Sequence, residues 1–226
     1  DLVAFNAALH ACGRAGQPAA AAELLQAIRA ARLAPDAVSF GAAIAAAEKA
    51  GGWQLALGLL GGMAAAAVRV DVVATSAAVS ACKKGARWQQ ALALLAGCRA
   101  SRLQPDAIVL SAAASACEKA GRWRACLALL CAAEREGPFP NAVTYDVVLL
   151  ALSRAAAWQD GLALLARRAR HGWRPERNTL TATVRLLSAQ TVPPSAAGWG
   201  LCLLGGGGSL GRGELEEAAR RLDAAR

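Results

Sequence analysis

Leucine pairs recur along the chain at Leu24-Leu25, Leu59-Leu60, Leu94-Leu95, Leu129-Leu130 and Leu164-Leu165, each 35 residues after the one before. Trp53, Trp88, Trp123 and Trp158 stand at one fixed distance ahead of the last four pairs, and Pro18 takes that place before the first. Polar punctuation keeps the same interval, at Pro35-Asp36, Val70-Asp71, Pro105-Asp106, Pro140-Asn141 and Pro175-Glu176. A period of this size held in strict register signals a repeat architecture. Five units follow: 2–36, 37–71, 72–106, 107–141 and 142–176. In each, an apolar stretch passes through a short turn, often with glycine (Gly16, Gly51-Gly52, Gly85, Gly121), into a second amphipathic stretch. The second stretch is predicted to end near the proline, where a helix cannot continue.

Each unit is thus predicted to be a helical hairpin. So small a hairpin cannot bury its apolar face alone, so the units must stack, and the fold class is an all-α solenoid of either hand. The tryptophans are expected to pack as core where hairpins meet. Beyond Glu176 the pattern degrades, and 177–226 reads as a degenerate or capping repeat. "RNTLTATVRLLSAQ" suits a sixth first helix, residues 191–213 a Pro/Gly-rich insertion, and "RGELEEAARRLDAAR" a final helix. Glu214, Glu216 and Glu217 near the start of that last segment, with Arg220 and Arg221 near its end, complement a helix dipole.

Composition narrows the picture. Apolar residues make up 56% of the chain but aromatics only 4%, which favours short, closely packed alanine-rich helices over one thick core. The seven cysteines (12, 82, 98, 117, 126, 131 and 202) are never spaced as Cys-x-x-Cys, and the histidines are His10 and His171 alone, so neither a zinc site nor a disulfide framework is supported. Cys12, Cys82 and Cys117 fall in repeat register and suit small buried helix positions in a reducing compartment. The charge-free stretches 50–68 and 186–211 are broken by glycines or by Pro193-Pro194, so no membrane span is expected. "GGGGSLGRG" lacks the Lys-Ser/Thr of a phosphate loop and reads as a linker. No catalytic constellation stands outside the repeat pattern, so no enzyme activity and no cofactor are expected.

Units such as "AVTYDVVLLALSRAAAWQDGLALLARRARHGWRPE", at 142–176, resemble the pentatricopeptide repeat. A tetratricopeptide repeat fits less well, because its Trp lies in the first helix and here Trp opens the second. The resemblance covers about residues 1–176. It implies a monomer that binds single-stranded RNA, one base per repeat, in the processing, stability or translation of transcripts in a chloroplast or mitochondrion.

The positions the family would use can be judged by their own chemistry. Counted from the first residue of each unit, places two, five, nine and thirteen fall on one side of the first helix. Place two holds Val3, Val38, Val73, Ile108 and Val143, which the resemblance assigns to flanking bases and which could equally pack between hairpins. Place thirteen is always cationic, with Arg14, Lys49, Lys84, Lys119 and Arg154, and suits successive phosphates or a solvated face. A formal net charge of +9 agrees with an anionic partner. Place nine, with His10, Ala45, Ser80, Ser115 and Leu150, is mostly small.

In the family, places five and last choose the base. The pairs here are Asn6 with Asp36, Gly41 with Asp71, Ser76 with Asp106, Ser111 with Asn141, and Asp146 with Glu176. Carboxylates accept hydrogen bonds and so suit uracil and guanine, whereas Asn141 can also donate and suits adenine. The family's pairing rule then implies 5′-U-N-G-A-N-3′, with the Gly41/Asp71 and Asp146/Glu176 units unassigned. A protein-binding scaffold is the competing expectation, since helical solenoids also hold peptides in their grooves.

Overall fold

The structure, a computed structural model, describes residues 1–101, 103–136, 140–170 and 181–184 of the chain. Ten helices follow one another there: α1 (Leu2–Ala15), α2 (Pro18–Ala30), α3 (Ala37–Ala50), α4 (Trp53–Ala65), α5 (Val72–Lys84), α6 (Trp88–Ala100), α7 (Ala107–Lys119), α8 (Trp123–Glu136), α9 (Ala142–Arg154) and α10 (Trp158–Arg170). Residues 181–184 form a further helical turn. Glu176, His171, Cys202, the insertion at 191–213 and the expected final helix lie outside the described residues.

Polar side chains start the first helix of every hairpin. Asp1, Asp36, Asp71, Asp106 and Asn141 each accept a hydrogen bond from a backbone N–H in the first turn that follows, which would otherwise lack a partner. At Asp36 the cap is reciprocal, because Ser39 Oγ accepts from the Asp36 N–H at 3.3 Å while the Ser39 N–H donates to Asp36 Oδ1 at 2.8 Å.

The first helices also end alike. The N–H groups of Gln17, Gly52, Arg87, Arg122 and Ala157 donate to the carbonyls of Cys12, Ala47, Cys82, Cys117 and Leu152, the long bond of a Schellman turn. Its left-handed residue is Gly16, Gly51 or Gly121 in three hairpins and Ala86 or Ala156 in the other two. Gly85, expected as a turn glycine, therefore does something else: a Cβ there would lie 2.6 Å from Trp53 Cδ1, so its bare backbone makes room for the indole of the preceding hairpin.

The second helices stop earlier than the punctuation at the unit ends suggested. α2 ends at Ala30 and α4 at Ala65, each about a turn before the punctuation. Arg32 and Ala67 adopt left-handed conformations there, and the N–H groups of Leu33 and Val68 close back on Ile28 and Met63 at 3.0 and 2.9 Å. These local turns satisfy the last carbonyls, so the prolines serve the connecting segment instead.

Packing of the helices is unequal on the two sides. Consecutive first helices, α1 to α3 to α5 to α7 to α9, pack directly on one another; α2, α4, α6 and α8 each pack on their own first helix and on the next, and α10 packs on α9. Second helices make at most marginal contact among themselves. Small side chains permit the close approach: Ala42, Ala43, Ala46 and Ala47 of α3 are buried, as are Ala74, Ala78 and Ala81 of α5 and Ala112, Ala113, Ala114 and Ala116 of α7. At α1 a Cβ on Gly13 would stand 3.1 Å from the Ala42 carbonyl oxygen. Larger residues such as Leu25, Leu60, Met63, Leu95, Leu130 and Leu165 fill the wedge between the two helix layers. Elements crowded on the first-helix side and spread on the other give a layer of first helices on the narrow side of the stack.

Trp53, Trp88, Trp123 and Trp158 are half-buried and packed against this core. Arg87 lies over the Trp53 ring with its guanidinium carbon 4.6 Å from the centroid, and Arg122 lies over Trp88 at 5.6 Å. These two indoles are thus covered from the turn of the next hairpin, whereas Trp123 has Arg124 of its own helix over it at 5.1 Å. No described helix is long and apolar enough to cross a membrane, and no group of metal-ligating side chains occurs among the described residues.

Candidate nucleic-acid interface

Val3, Val38, Val73, Ile108 and Val143 are the large hydrophobic side chains left exposed among the described residues, between 48% and 73% accessible. Packing between hairpins, which would have explained them equally well, does not occur. Each lies in the first turn of α1, α3, α5, α7 or α9, so the N-terminal ends of the inner helices carry a row of apolar contacts facing solvent. Isolated exposed aliphatics are ordinary, but five at one repeat position on one layer form a strip.

Beside each sits the cap residue that begins its helix. Capping occupies part of that side chain and leaves a definite remainder. Asp71 Oδ1 accepts from the Ala74 N–H at 2.7 Å, and Asp106 Oδ1 from the Val109 N–H at 2.8 Å. Asn141 Oδ1 accepts from both the Thr144 N–H, at 2.9 Å, and the Thr144 hydroxyl, at 2.8 Å. The exposed Asp71 and Asp106 therefore keep a carboxylate oxygen, an acceptor, for another partner. With its oxygen engaged by the backbone, Asn141 has its amide N–H groups, donors, to offer. The Asp and Asn at the unit ends thus have a structural duty that was readable as a helix-start signal in the sequence.

Asn6 and Asp36 touch directly. The Asn6 amide donates to Asp36 Oδ1 and Oδ2 at 3.3 and 3.4 Å, and Asn6 Oδ1 accepts from the Ser39 hydroxyl at 2.6 Å. Burial opposes ionisation of Asp36, but hydrogen bonds from the Ser39 N–H, the Ser39 hydroxyl, the Asn6 amide and its own backbone outweigh it and hold the carboxyl below its ordinary value. Ser76 and Asp106 line one cleft of about 380 Å³ together with Val73, Ser80 and Glu48. Ser111 is half-buried and its hydroxyl donates to the Ile108 carbonyl at 2.9 Å. At Gly41 an added Cβ would meet nothing within 4 Å, so that place is open space. Asp146 is half-buried, and its proposed partner Glu176 is outside the described residues.

Arg14, Lys49, Lys84, Lys119 and Arg154 all lie exposed in the last turns of the first helices. Three of them are engaged within the protein. Lys49 Nζ donates to the Arg14 carbonyl at 2.8 Å, and Lys84 Nζ donates to the Glu48 carbonyl at 2.7 Å while pairing with Glu48 Oε1 at 2.8 Å. Arg154 pairs with Glu118. A cation reaching back to the helix end of the preceding hairpin satisfies a terminal carbonyl and suits the negative end of its dipole. The uniform sign of this column thus has a stacking role that the sequence alone did not disclose.

The described arrangement is an inner layer of five helices with an aliphatic strip and cap residues at one end and a cationic column at the other. Place nine lies between them, with His10 exposed and Ala45, Ser80, Ser115 and Leu150 half-buried.

No protein-family model matches the sequence, and no curated protein does. Among solved structures, the chain is similar to the crystal structure of the pentatricopeptide repeat protein PPR10 from maize, with a TM-score of 0.65 and 23% identity over 99% of this chain and 34% of that one. Two structures of PPR10 in complex with an 18-nt psaJ RNA element, one with three cysteines replaced by serine, align at a TM-score of 0.47 and 20% identity over 100% of this chain and 44% of theirs. The chain thus spans about a third of the length of the maize protein. In its stacked hairpins, and in the pairing of first helices with first helices, the chain has the pentatricopeptide-repeat fold.

Proposed function

We propose that this chain binds single-stranded RNA along its inner helix layer, one base to each hairpin, in the handling of organellar transcripts. The observation that carries the reading is the strip of Val3, Val38, Val73, Ile108 and Val143, the large hydrophobics left in solvent among the described residues, set beside helix caps of which Asp71, Asp106 and Asn141 keep an unspent polar atom. An aliphatic group can press on the face of any base, and the neighbouring cap atom can then test its edge. The carboxylates of Asp36 and Asp106 accept hydrogen bonds and so favour uracil or guanine, which offer a ring N–H. The outward donor at Asn141 favours adenine, which offers a ring acceptor. The expected preference remains 5′-U-N-G-A-N-3′.

Phosphates would be met by the cationic column, in which Lys49, Lys84 and Arg154 can serve a strand only as far as their bonds within the protein allow. Titration with UNGAN-containing and scrambled single strands at several salt concentrations tests the reading. Affinity should fall with salt and differ between the two sequences, and the Asn141→Asp protein should move its fourth-base preference from A toward G. Binding indifferent to both salt and base order would favour a peptide-holding scaffold instead.

A further inference from the structure

Two of the four junctions between successive inner helices seat an ion pair at the cationic end; of the other two, the first has Gly13 in the place of the carboxylate and the third has a lysine. Glu48 of α3 is held by two residues of α5, Lys84 Nζ at 2.8 Å and the Ser80 hydroxyl at 3.1 Å. Glu118 of α7 is held likewise by Arg154 of α9. At the junction between these two, α5 packs on α7 in the same way, but the residue in the place of Glu48 and Glu118 is Lys83. The residues in the places of Ser80 and Lys84 are Ser115 and Lys119, at the same offsets. A carboxylate between two donors is thus replaced by a second ammonium. Lys83 is half-buried and Lys119 exposed, and neither has a hydrogen-bond or ion-pair partner among the described residues. The neighbouring carboxylates are committed elsewhere, Glu48 to Lys84 and Glu118 to Arg154.

Two like charges at a register that elsewhere seats an ion pair repel each other unless an anion comes between them. We propose that Lys83, Ser115 and Lys119 form an oxoanion site, and that its occupant is one backbone phosphate of the bound strand, held between the third and fourth hairpins. This rests on the RNA reading for the identity of the strand, though not for the site itself. The phosphate supplies the negative group that Glu48 and Glu118 supply at the flanking junctions, its two non-bridging oxygens shared among the two ammoniums and the hydroxyl. A strand would then be pinned at one junction and held more loosely at its neighbours, where the cations are already engaged.

The test compares wild type with Lys83→Gln and with Arg29→Gln, a control at an exposed arginine of α2, using both the UNGAN strand and an abasic phosphodiester strand of equal length. Losing one phosphate contact should weaken both strands by about fivefold near physiological salt and lower the slope of log K against log salt by about one. Arg29→Gln should leave both within about twofold. If Lys83→Gln behaves like the control while wild type still selects the UNGAN strand, the oxoanion site is wrong and the RNA reading survives. If wild type shows no base preference yet Lys83→Gln still weakens the abasic strand, the site stands and base reading falls. If wild type binds neither strand, both are overturned. A second measurement asks whether the two ammoniums are close: Lys83→Glu restores the pair found at the flanking junctions and should raise Tm by about 2 °C. An unchanged or lowered Tm would separate Lys83 from Lys119 and remove the site.

Discussion

Ala86 and Ala156 hold left-handed backbone at the place where Gly16, Gly51 and Gly121 stand in the other hairpins. A Cβ is disfavoured in that conformation by about 1 kcal/mol or more, whereas glycine adopts it freely. Ala86→Gly and Ala156→Gly should therefore each raise stability, by about 0.5–1 kcal/mol once the added freedom of the unfolded chain is offset, as read from urea denaturation midpoints. Gly85→Ala, its immediate neighbour, should do the opposite, because the new methyl would meet the Trp53 ring. The thiols form a second residue-scale contrast. Burial raises the pKa of Cys82, Cys98 and Cys117, the last to about 11, and raises that of Cys126 still further with help from Cys117 and Glu118 nearby. Thiolate is the reactive species, so these four should resist iodoacetamide at pH 8 in the folded protein, while the half-buried Cys12 and Cys131 are modified first, as peptide mass mapping would show.

The inner helices depend on their caps, and at Asp71 and Asp106 the capping side chain is also exposed to solvent. Asp106→Ala removes both the bond to the Val109 N–H and the free oxygen, whereas Asp106→Asn keeps the cap and changes what faces outward. Stability should drop by about 1 kcal/mol in the alanine protein and hardly at all in the asparagine protein, while RNA selectivity at the third base should change in both. Equal loss of stability in the two would mean that the carboxylate charge, not the cap geometry, is what the helix uses. At α3 the charge does matter. Asp36 titrates below its ordinary value in the folded chain, so its ionised form contributes stability above about pH 4, and that contribution is lost as pH falls through the lowered folded pKa. Melting wild type against Asp36→Asn should show a difference at pH 6 that closes under acid conditions.

Across the whole stack, the proposed base reading should be uneven, because the hairpins are unequally equipped. The second unit presents Gly41 opposite Asp71 and has nothing at place five with which to test a base. Open space around Gly41 lets a side chain in without a clash, and replacing a helix-interior glycine favours folding. Gly41→Asn, which recreates the Asn6/Asp36 pairing of the first unit, should add a preference for U at the second base, and binding to a panel of four strands differing at that base would show it. An unchanged profile would mean that place five does not reach the strand in this hairpin.

The 35-residue interval already determined the helical hairpins and their order, because a pattern repeated at fixed register can be buried only by stacking. It also named the valine column without deciding its fate, since an aliphatic residue on a first turn reads the same whether a neighbour covers it or not. Exposure of Val73 and burial of Leu110 are set by how near α5 and α7 lie, and that distance belongs to the tertiary structure. The cationic column was legible as charge, but its ties from Lys84 to Glu48 and from Arg154 to Glu118 join residues 36 positions apart, which no local pattern couples. The same holds for Gly85 against Trp53 and for Lys83, without a partner among the described residues at the register where Glu48 and Glu118 are paired: side chains set the hairpins, and only their stacking determines which charges and surfaces meet.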